Sequence, residues 1–201
     1  MFTFNDIVRL QESELIAELK AGRESAFRTL VETYQNKVYN TALAIVQQPE
    51  EAEDLAQDVF VEVYQTIRQF REEAKLTTWL YRITTSKALA HLRKRKAQKR
   101  FSRITSLFGV NNEVLHDPPD FHHPGVSLEQ RETMSLLFKA IEKLADTQKV
   151  AFVLHYMEEQ SHREIAEVMQ MSVSAVESLL HRAKQHLRKQ LTPFYNERKN
   201  P

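Results

Sequence analysis

The chain contains no cysteine, which excludes disulfides and thiolate metal sites and suits a reducing cytoplasm. It holds only three glycines (Gly22, Gly109 and Gly125) and few alternating β-branched runs, so helices are the expected element. No apolar run approaches the roughly 20 residues that cross a bilayer as a helix. The opening residues, MFTFNDIVRLQESEL, have no basic start followed by an apolar stretch, so no secretion signal is expected and the chain is assigned to the cytoplasm. H-E-x-x-H, a Gly-rich phosphate loop and a nucleophile elbow are all missing. No cofactor, no metal and no catalytic residue is implied, and the chain is expected not to be an enzyme.

What is present is charge, and it is segregated. The formal net charge is only +1, yet residues 1–67 carry 5 Lys/Arg against 12 Asp/Glu, a net of −7. Residues 68–103 carry 12 against 2, a net of +10, and residues 104–201 carry 11 against 13, a net of −2. Such a split suits one surface for a basic or protein partner and another for a polyanion.

Helical spacing runs from Leu15 through Phe27, Leu30, Val31, Tyr34, Val38, Ala42 and Ile45. Pro49 followed by Glu50 and Glu51 predicts a helix start, with proline in the first turn and acid at the positive dipole end. After a break around Arg71–Lys75, LTTWLYRITTSKALAHLRKRKAQKR predicts one long helix to about Arg100. Ser102–Ser127, with Asn-Asn and HDPPDFHHPG, reads as a linker of about 25 residues, long for a connection inside a compact domain. Helical periodicity resumes at Leu128 and runs almost to Pro193.

Within that last part, SHREIAEVMQMSVSAVESLLHRAKQHLRKQL has the form of a helix-turn-helix, whose second helix enters the major groove by its N-terminal residues. Ser161 and Glu164 have capping-box spacing. Ile165, Ala166 and Met169 are the expected inner face of the first helix, and Val176, Leu180 and Ala183 that of the second. Gln170 stands where the turn often has glycine, so it must accept a left-handed backbone or widen the turn. Glu177 has two readings: a second capping box with Ser174, which the local spacing favours, or acceptance from a cytosine amino group.

The basic segment poses the other question. A base lifted from a duplex needs aromatics or a shaped pocket, and its backbone needs Lys and Arg. Phe70, Trp79, Tyr81, Arg82, Lys87 and the run Arg93 to Lys96 offer both on neighbouring elements. Leu76, Leu80 and Ile83 form a core stripe that Trp79 could merely flank. Six cations between Arg93 and Arg100, with no acid among them, repel one another unless an anion is near.

Over about Ser13 to Leu191 the chain resembles the extracytoplasmic-function (ECF) group of bacterial sigma factors. Three motifs carry this, in order: AEDLAQDVFVEVY, FREEAKLTTWLYRITTSKALAHLRKRK and the helix-turn-helix. The resemblance implies an all-α fold of two small helical domains, a sigma region 2-like bundle and a sigma region 4-like helix-turn-helix, joined by a flexible linker. The implied boundaries are 1–101, linker 102–127, 128–193, and a C-terminal tail 194–201. Glu53, Asp54, Leu55, Gln57, Asp58 and Phe60 match positions that dock on core RNA polymerase. Phe70, Lys75, Thr78, Trp79, Arg82 and Ser86, with the basic Arg93, Arg95 and Lys96, match the segment that holds the single-stranded non-template −10 element. Ser172, Ser174, Ala175, Glu177, Ser178, His181 and Arg182 match the part of a helix that reads duplex −35 DNA. The implied function is an alternative-sigma initiation factor that binds core polymerase, recognises both elements and promotes strand opening, with an anti-sigma factor as a possible further partner. The chain departs from the family pattern at Ser86 and Ala90, at Glu72 where a glycine is common, and at Glu177 and Leu179 where basic residues are frequent.

Three rival readings remain. The acids Glu50, Glu51, Glu53, Asp54 and Asp58 could be imagined as a metal site, although a solvated or partner-binding face is the default. His116, His122 and His123 lie too loosely among prolines to define a site. A conventional regulator binding operator DNA without polymerase explains Ser161–Leu191 but leaves the acidic and basic helices unemployed. An RNA-binding helical module fits the basic stretch but not the helix-turn-helix.

Overall fold

The computed structural model describes the backbone of residues 4–106 and 128–199 and the side chains of 11–100 and 134–194. Eight helices make up the described residues: α1 (Phe4–Lys20), α2 (Glu24–Val46), α3 (Pro49–Thr66), α4 (Leu76–Ser106), α5 (Leu128–Glu142), α6 (Asp146–Tyr156), α7 (His162–Met169) and α8 (Val173–Lys199). A single 3-10 turn, Ile67–Gln69, separates α3 from the loop before α4. The described residues contain no strand, so the all-α expectation holds.

Local chemistry accounts for most helix ends. Pro49 sits in the first turn of α3, with Glu50 and Glu51 beside it at the positive dipole end. Gly22, at φ +78, turns the chain from α1 into α2. α2 stops at Gln47, whose left-handed backbone (φ 60, ψ 29) lets its N–H reach the Leu43 carbonyl. Glu72, in the loop where the family often has glycine, is also left-handed at φ 60, and Lys20 holds its carboxylate.

Two apolar clusters fill the molecule. Ile16, Leu19 and Leu30 of the first two helices meet Val59 and Val63 of α3, with Leu76, Leu80 and Ile83 of α4 closing that cluster. The second joins both halves of the chain: Leu43, Val46, Tyr81 and Leu92 lie in one continuous core with Phe138, Ile141, Val150, Leu154, Ile165 and Leu180. Each fully buried Leu, Ile or Phe side chain contributes about 1.5–3 kcal/mol, so this shared core fastens α5–α8 to α2 and α4.

Two helices run further than their sequences suggest. α4 continues to Ser106, past the expected end near Arg100, because residues 102–106 contain neither proline nor glycine to interrupt the hydrogen-bond ladder. α8 continues through Pro193 to Lys199, where a tail was expected. Pro193 is exposed, so water can satisfy the Lys189 carbonyl that its missing N–H leaves unpaired. Residues 107–127 of the expected linker, including its histidines, lie outside the described residues.

Candidate protein and nucleic-acid interfaces

α3 presents an acidic outer edge. Glu53, Asp54, Gln57 and Asp58 are exposed, while Leu55 and Phe60 turn inward, Leu55 into the shared core and Phe60 into the first cluster. The helical period places these two groups on opposite sides: the apolar pair fixes the helix and the polar set is left facing out. A groove of about 500 Å³ runs beside this edge, lined by Val31, Gln35, Tyr39, Glu53, Gln57 and Phe60. Burial, and then the Glu53 carboxylate, raises the Tyr39 phenol above its ordinary value.

The aromatic and basic residues before and along α4 divide. Leu76, Leu80 and Ile83 are buried as expected. Trp79 is half-buried and stacks on the buried Phe70 ring, centroids 4.8 Å apart at 24°. Thr78 is buried. Ser86 is exposed on α4, as are Arg93 and the cations beyond it save Arg95. Arg95 is half-buried, with Nη1 3.1 Å from Glu51 Oε2 and donating to the Val46 carbonyl at 3.3 Å.

Tyr81 is the clear correction. Considered among the base-facing aromatics, it is instead buried in the shared core, and its hydroxyl donates to Glu158 Oε2 at 2.7 Å. The helical period explains this: Tyr81 lies about 200° around the helix from Trp79, on the side that α6 and α7 cover. Burial first, then the hydrogen bond to Glu158, pushes its phenol far up.

Several α4 cations are already engaged by the other half of the chain. Lys75 Nζ lies 3.0 Å from Glu164 Oε1 and Lys96 Nζ 2.7 Å from Asp146 Oδ1. Arg82 Nη2 donates to the Glu167 carbonyl at 3.0 Å, while its Nε is buried with no hydrogen-bond partner. Glu158, Glu164, Glu167 and Asp146 do not stand out in the sequence as partners of α4. The only signal there is the charge excess on either side, which identifies no pair.

The helix-turn-helix forms as its spacing predicts. Ser161 Oγ accepts from Glu164 N at 3.2 Å, and Ser161 N donates to Glu164 Oε2 at 3.0 Å, so the capping box is complete. The hydrogen bond from the Ser161 backbone, then that from Lys75, holds the Glu164 carboxyl below its ordinary range. Gln170 accepts the left-handed turn at φ 54 and ψ 49. Ile165, Ala166, Val176, Leu180 and Ala183 are buried; on α7 Val168 is buried too, and Met169 only half so.

The favoured reading of Glu177 is not borne out. α8 begins at Val173, and Ser172 caps it by accepting from Ala175 N at 3.2 Å. Ser174 already lies within the helix, so its side chain comes too late to cap. Glu177 is exposed, 3.6 Å from His162 Nδ1. Ser172, Ser174, Ser178, His181 and Arg182 are likewise exposed and Ala175 half-buried, so they share one open face of α8. Glu159 and His162 also have E-x-x-H spacing, but among the described residues no three His, Cys, Asp or Glu are placed to hold a metal ion.

A bundle with an acidic helix, a basic helix and a capped helix-turn-helix belongs to the sigma-70 class, whose family models match here in order. Residues 30–98 match Sigma-70 region 2, and residues 135–187 match Sigma-70, region 4. The ECF RNA polymerase sigma factor SigW of Bacillus subtilis is 32% identical over 179 residues, 88% of this chain and 94% of SigW. The RNA polymerase sigma-H factor of Pseudomonas aeruginosa is 30% identical over 187 residues, covering 93% of this chain and 97% of that factor. The protein therefore belongs to the ECF RNA polymerase sigma factors. Two solved structures share the fold at low identity. The sigma factor RpoE of Bartonella quintana, in complex with the anti-sigma factor NepR, has a TM-score of 0.63 and 20% identity, covering 83% of this chain and 96% of its own. CnrH, in complex with the cytosolic domain of CnrY, has a TM-score of 0.64 and 21% identity, covering 90% and 97%.

Proposed function

We propose that the chain is an alternative sigma factor: it binds core RNA polymerase, recognises −35 and −10 promoter elements, and favours strand opening by holding exposed −10 bases. The carrying observation is the separation of three surfaces on one chain. An acidic edge on α3, a cationic α4 and an open polar face on α8 lie on separate helices.

Within this reading Glu53, Asp54, Gln57 and Asp58 meet polymerase, while Leu55 and Phe60 set the helix that carries them. Lys75, Arg82, Arg93 and Lys96 neutralise the backbone of the non-template strand. Trp79 and Phe70 shape its approach over buried Thr78, and Ser86 meets a base. Arg95 acts from its bond to Glu51. Ser172, Ser174, Ala175, Ser178, His181 and Arg182 read the −35 groove, and Glu177, free of a capping role, can accept from a cytosine amino group.

Residues 1–101 and 128–193 act as the two functional units, joined through 102–127 and followed by 194–201. The chain works in the cytoplasm and contributes binding energy, with the chemistry left to polymerase. An anti-sigma factor is a candidate further partner, since two structures of this fold are complexes with such a protein or with a partner's cytosolic domain. The conventional-regulator reading gives α3 and α4 no task.

Transcription in vitro with purified bacterial core enzyme and genomic DNA, with start sites sequenced, tests the proposal. Defined starts that depend on the chain are expected. Neither co-migration with core nor any start site would overturn it.

A further inference from the structure

We infer that α5–α8 form an intramolecular cap that masks the strand-holding face of α4 in the free chain, with the Glu158 carboxylate as its fastening; this rests on the function proposed for α4 above. The observation is the chemistry of the seam. Cations assigned to a nucleic-acid backbone are met by oxygens from the other half of the chain: Glu164 on Lys75, the Glu167 carbonyl on Arg82 and Asp146 on Lys96. Carboxylates and a helix carbonyl thus stand in the positions that phosphate oxygens would take. An ammonium already neutralised at 3.0 Å or less gives little further attraction to a phosphate and releases no counterion when one arrives.

Glu158 closes the arrangement at its centre. Oε1 accepts from Thr41 of α2 at 2.9 Å, and Oε2 from Tyr81 of α4 at 2.7 Å. Thr41 and Tyr81 are both buried. One side chain from the turn after α6 therefore ties the second half of the chain to two helices of the first. The next residue, Glu159, is left-handed at φ 54, and Gln160 Nε2 donates to the Glu158 carbonyl, so the turn itself is built to present this carboxylate.

The seam is also made to part. Arg82 Nε is buried without an acceptor, a group that hydration would relieve on opening. The acidic edge of α3 stays exposed while the cap is closed, so polymerase can dock before the cap lifts. Strand binding would then be reduced by the fraction of chain that is open, because apparent affinity scales with the competent population.

The test uses the full chain with Glu158→Ala and Asp146→Asn together, against wild type and a charge-matched control, Glu14→Gln with Glu32→Gln. Because the chain has no cysteine, dyes can be placed at Ser25→Cys and Lys189→Cys to follow the separation of the two halves by energy transfer. Strand binding is read by anisotropy of a labelled single-stranded oligothymidylate. Expected are lower transfer efficiency and about tenfold tighter strand binding for the double variant only. Unchanged transfer overturns the fastening. Lower transfer with strand binding equal to wild type, but measurable in both, overturns the masking and leaves the role of α4 intact. Lower transfer with no strand binding by any form, and with transcription on core enzyme indifferent to Arg93→Ala and Lys94→Ala, overturns the α4 reading and the inference with it. Equal tightening in the charge-matched control assigns the gain to net charge and also overturns the masking.

Discussion

Lys149 offers a sharp test of the packing described here. It sits in the first turn of α6 with only 2% of its surface exposed, inside the seam between α6 and α4. Burial lowers its ammonium from 10.5 to about 8; Asp146 and Glu142 oppose that shift, and Arg95 and Lys96 reinforce it. A lysine whose folded value is depressed costs stability wherever the unfolded chain holds its proton more tightly. That cost is complete below about pH 8, shrinks as pH rises from about 8 toward 10.5, and is gone above it. At about 1.36 kcal/mol per unit, the cost near neutral pH is at most on the order of 3 kcal/mol. Lys149→Met keeps a long unbranched side chain of similar volume and removes the charge, so the variant should be more stable by up to that amount near pH 7. The margin should fall by roughly half near pH 9.5, as the wild-type lysine loses its proton in the folded state. Urea unfolding of both proteins across that range measures it. Tyr34, Tyr39 and Tyr81 are raised, so their contributions fall away at high pH, but they do so in both proteins and cancel in the difference. A margin that stays flat with pH, or a wild type more stable than the variant near pH 7, would refute the buried-lysine account.

Other outcomes follow from the exposed faces and the strained turn. Asp58→Arg, on the open edge of α3, should abolish co-purification with core polymerase while leaving circular dichroism and melting unchanged; retained binding removes Asp58 from the interface. Arg93→Ala with Lys94→Ala should weaken DNA binding by the polymerase complex regardless of sequence and lower the salt dependence by roughly one unit of slope for each phosphate no longer neutralised. A slope equal to wild type places both cations off the DNA. Gln170→Gly relieves a left-handed backbone that costs a side-chain-bearing residue about 1–2 kcal/mol. Part of this is returned as unfolded-chain entropy, leaving a net gain of up to about 1 kcal/mol in thermal unfolding; a lower midpoint would contradict the strain.

Much of the architecture could be read from periodicity and punctuation. Pro49 with Glu50 and Glu51 marks a helix start, Ser161 with Glu164 forms the capping box, and Leu76, Leu80 and Ile83 form a buried stripe. These succeed because their causes lie within a turn or two of helix, where spacing alone decides which groups meet. The same local reasoning failed at Glu177, since Ser172 and Ser174 are both chemically able to cap and only the helix's actual first residue chooses between them.

By itself, then, the order of residues determined the helices, their inward faces, the segregated charge and the family. Only the tertiary structure decided which side of α4 Tyr81 would face, that Glu158 would join Thr41 and Tyr81, and that acids of one half would meet cations of the other. The physical reason is distance along the chain. A hydrogen bond spanning 77 or 117 residues depends on how whole helices pack, and many acids and bases could pair until that packing brings particular ones within hydrogen-bonding reach.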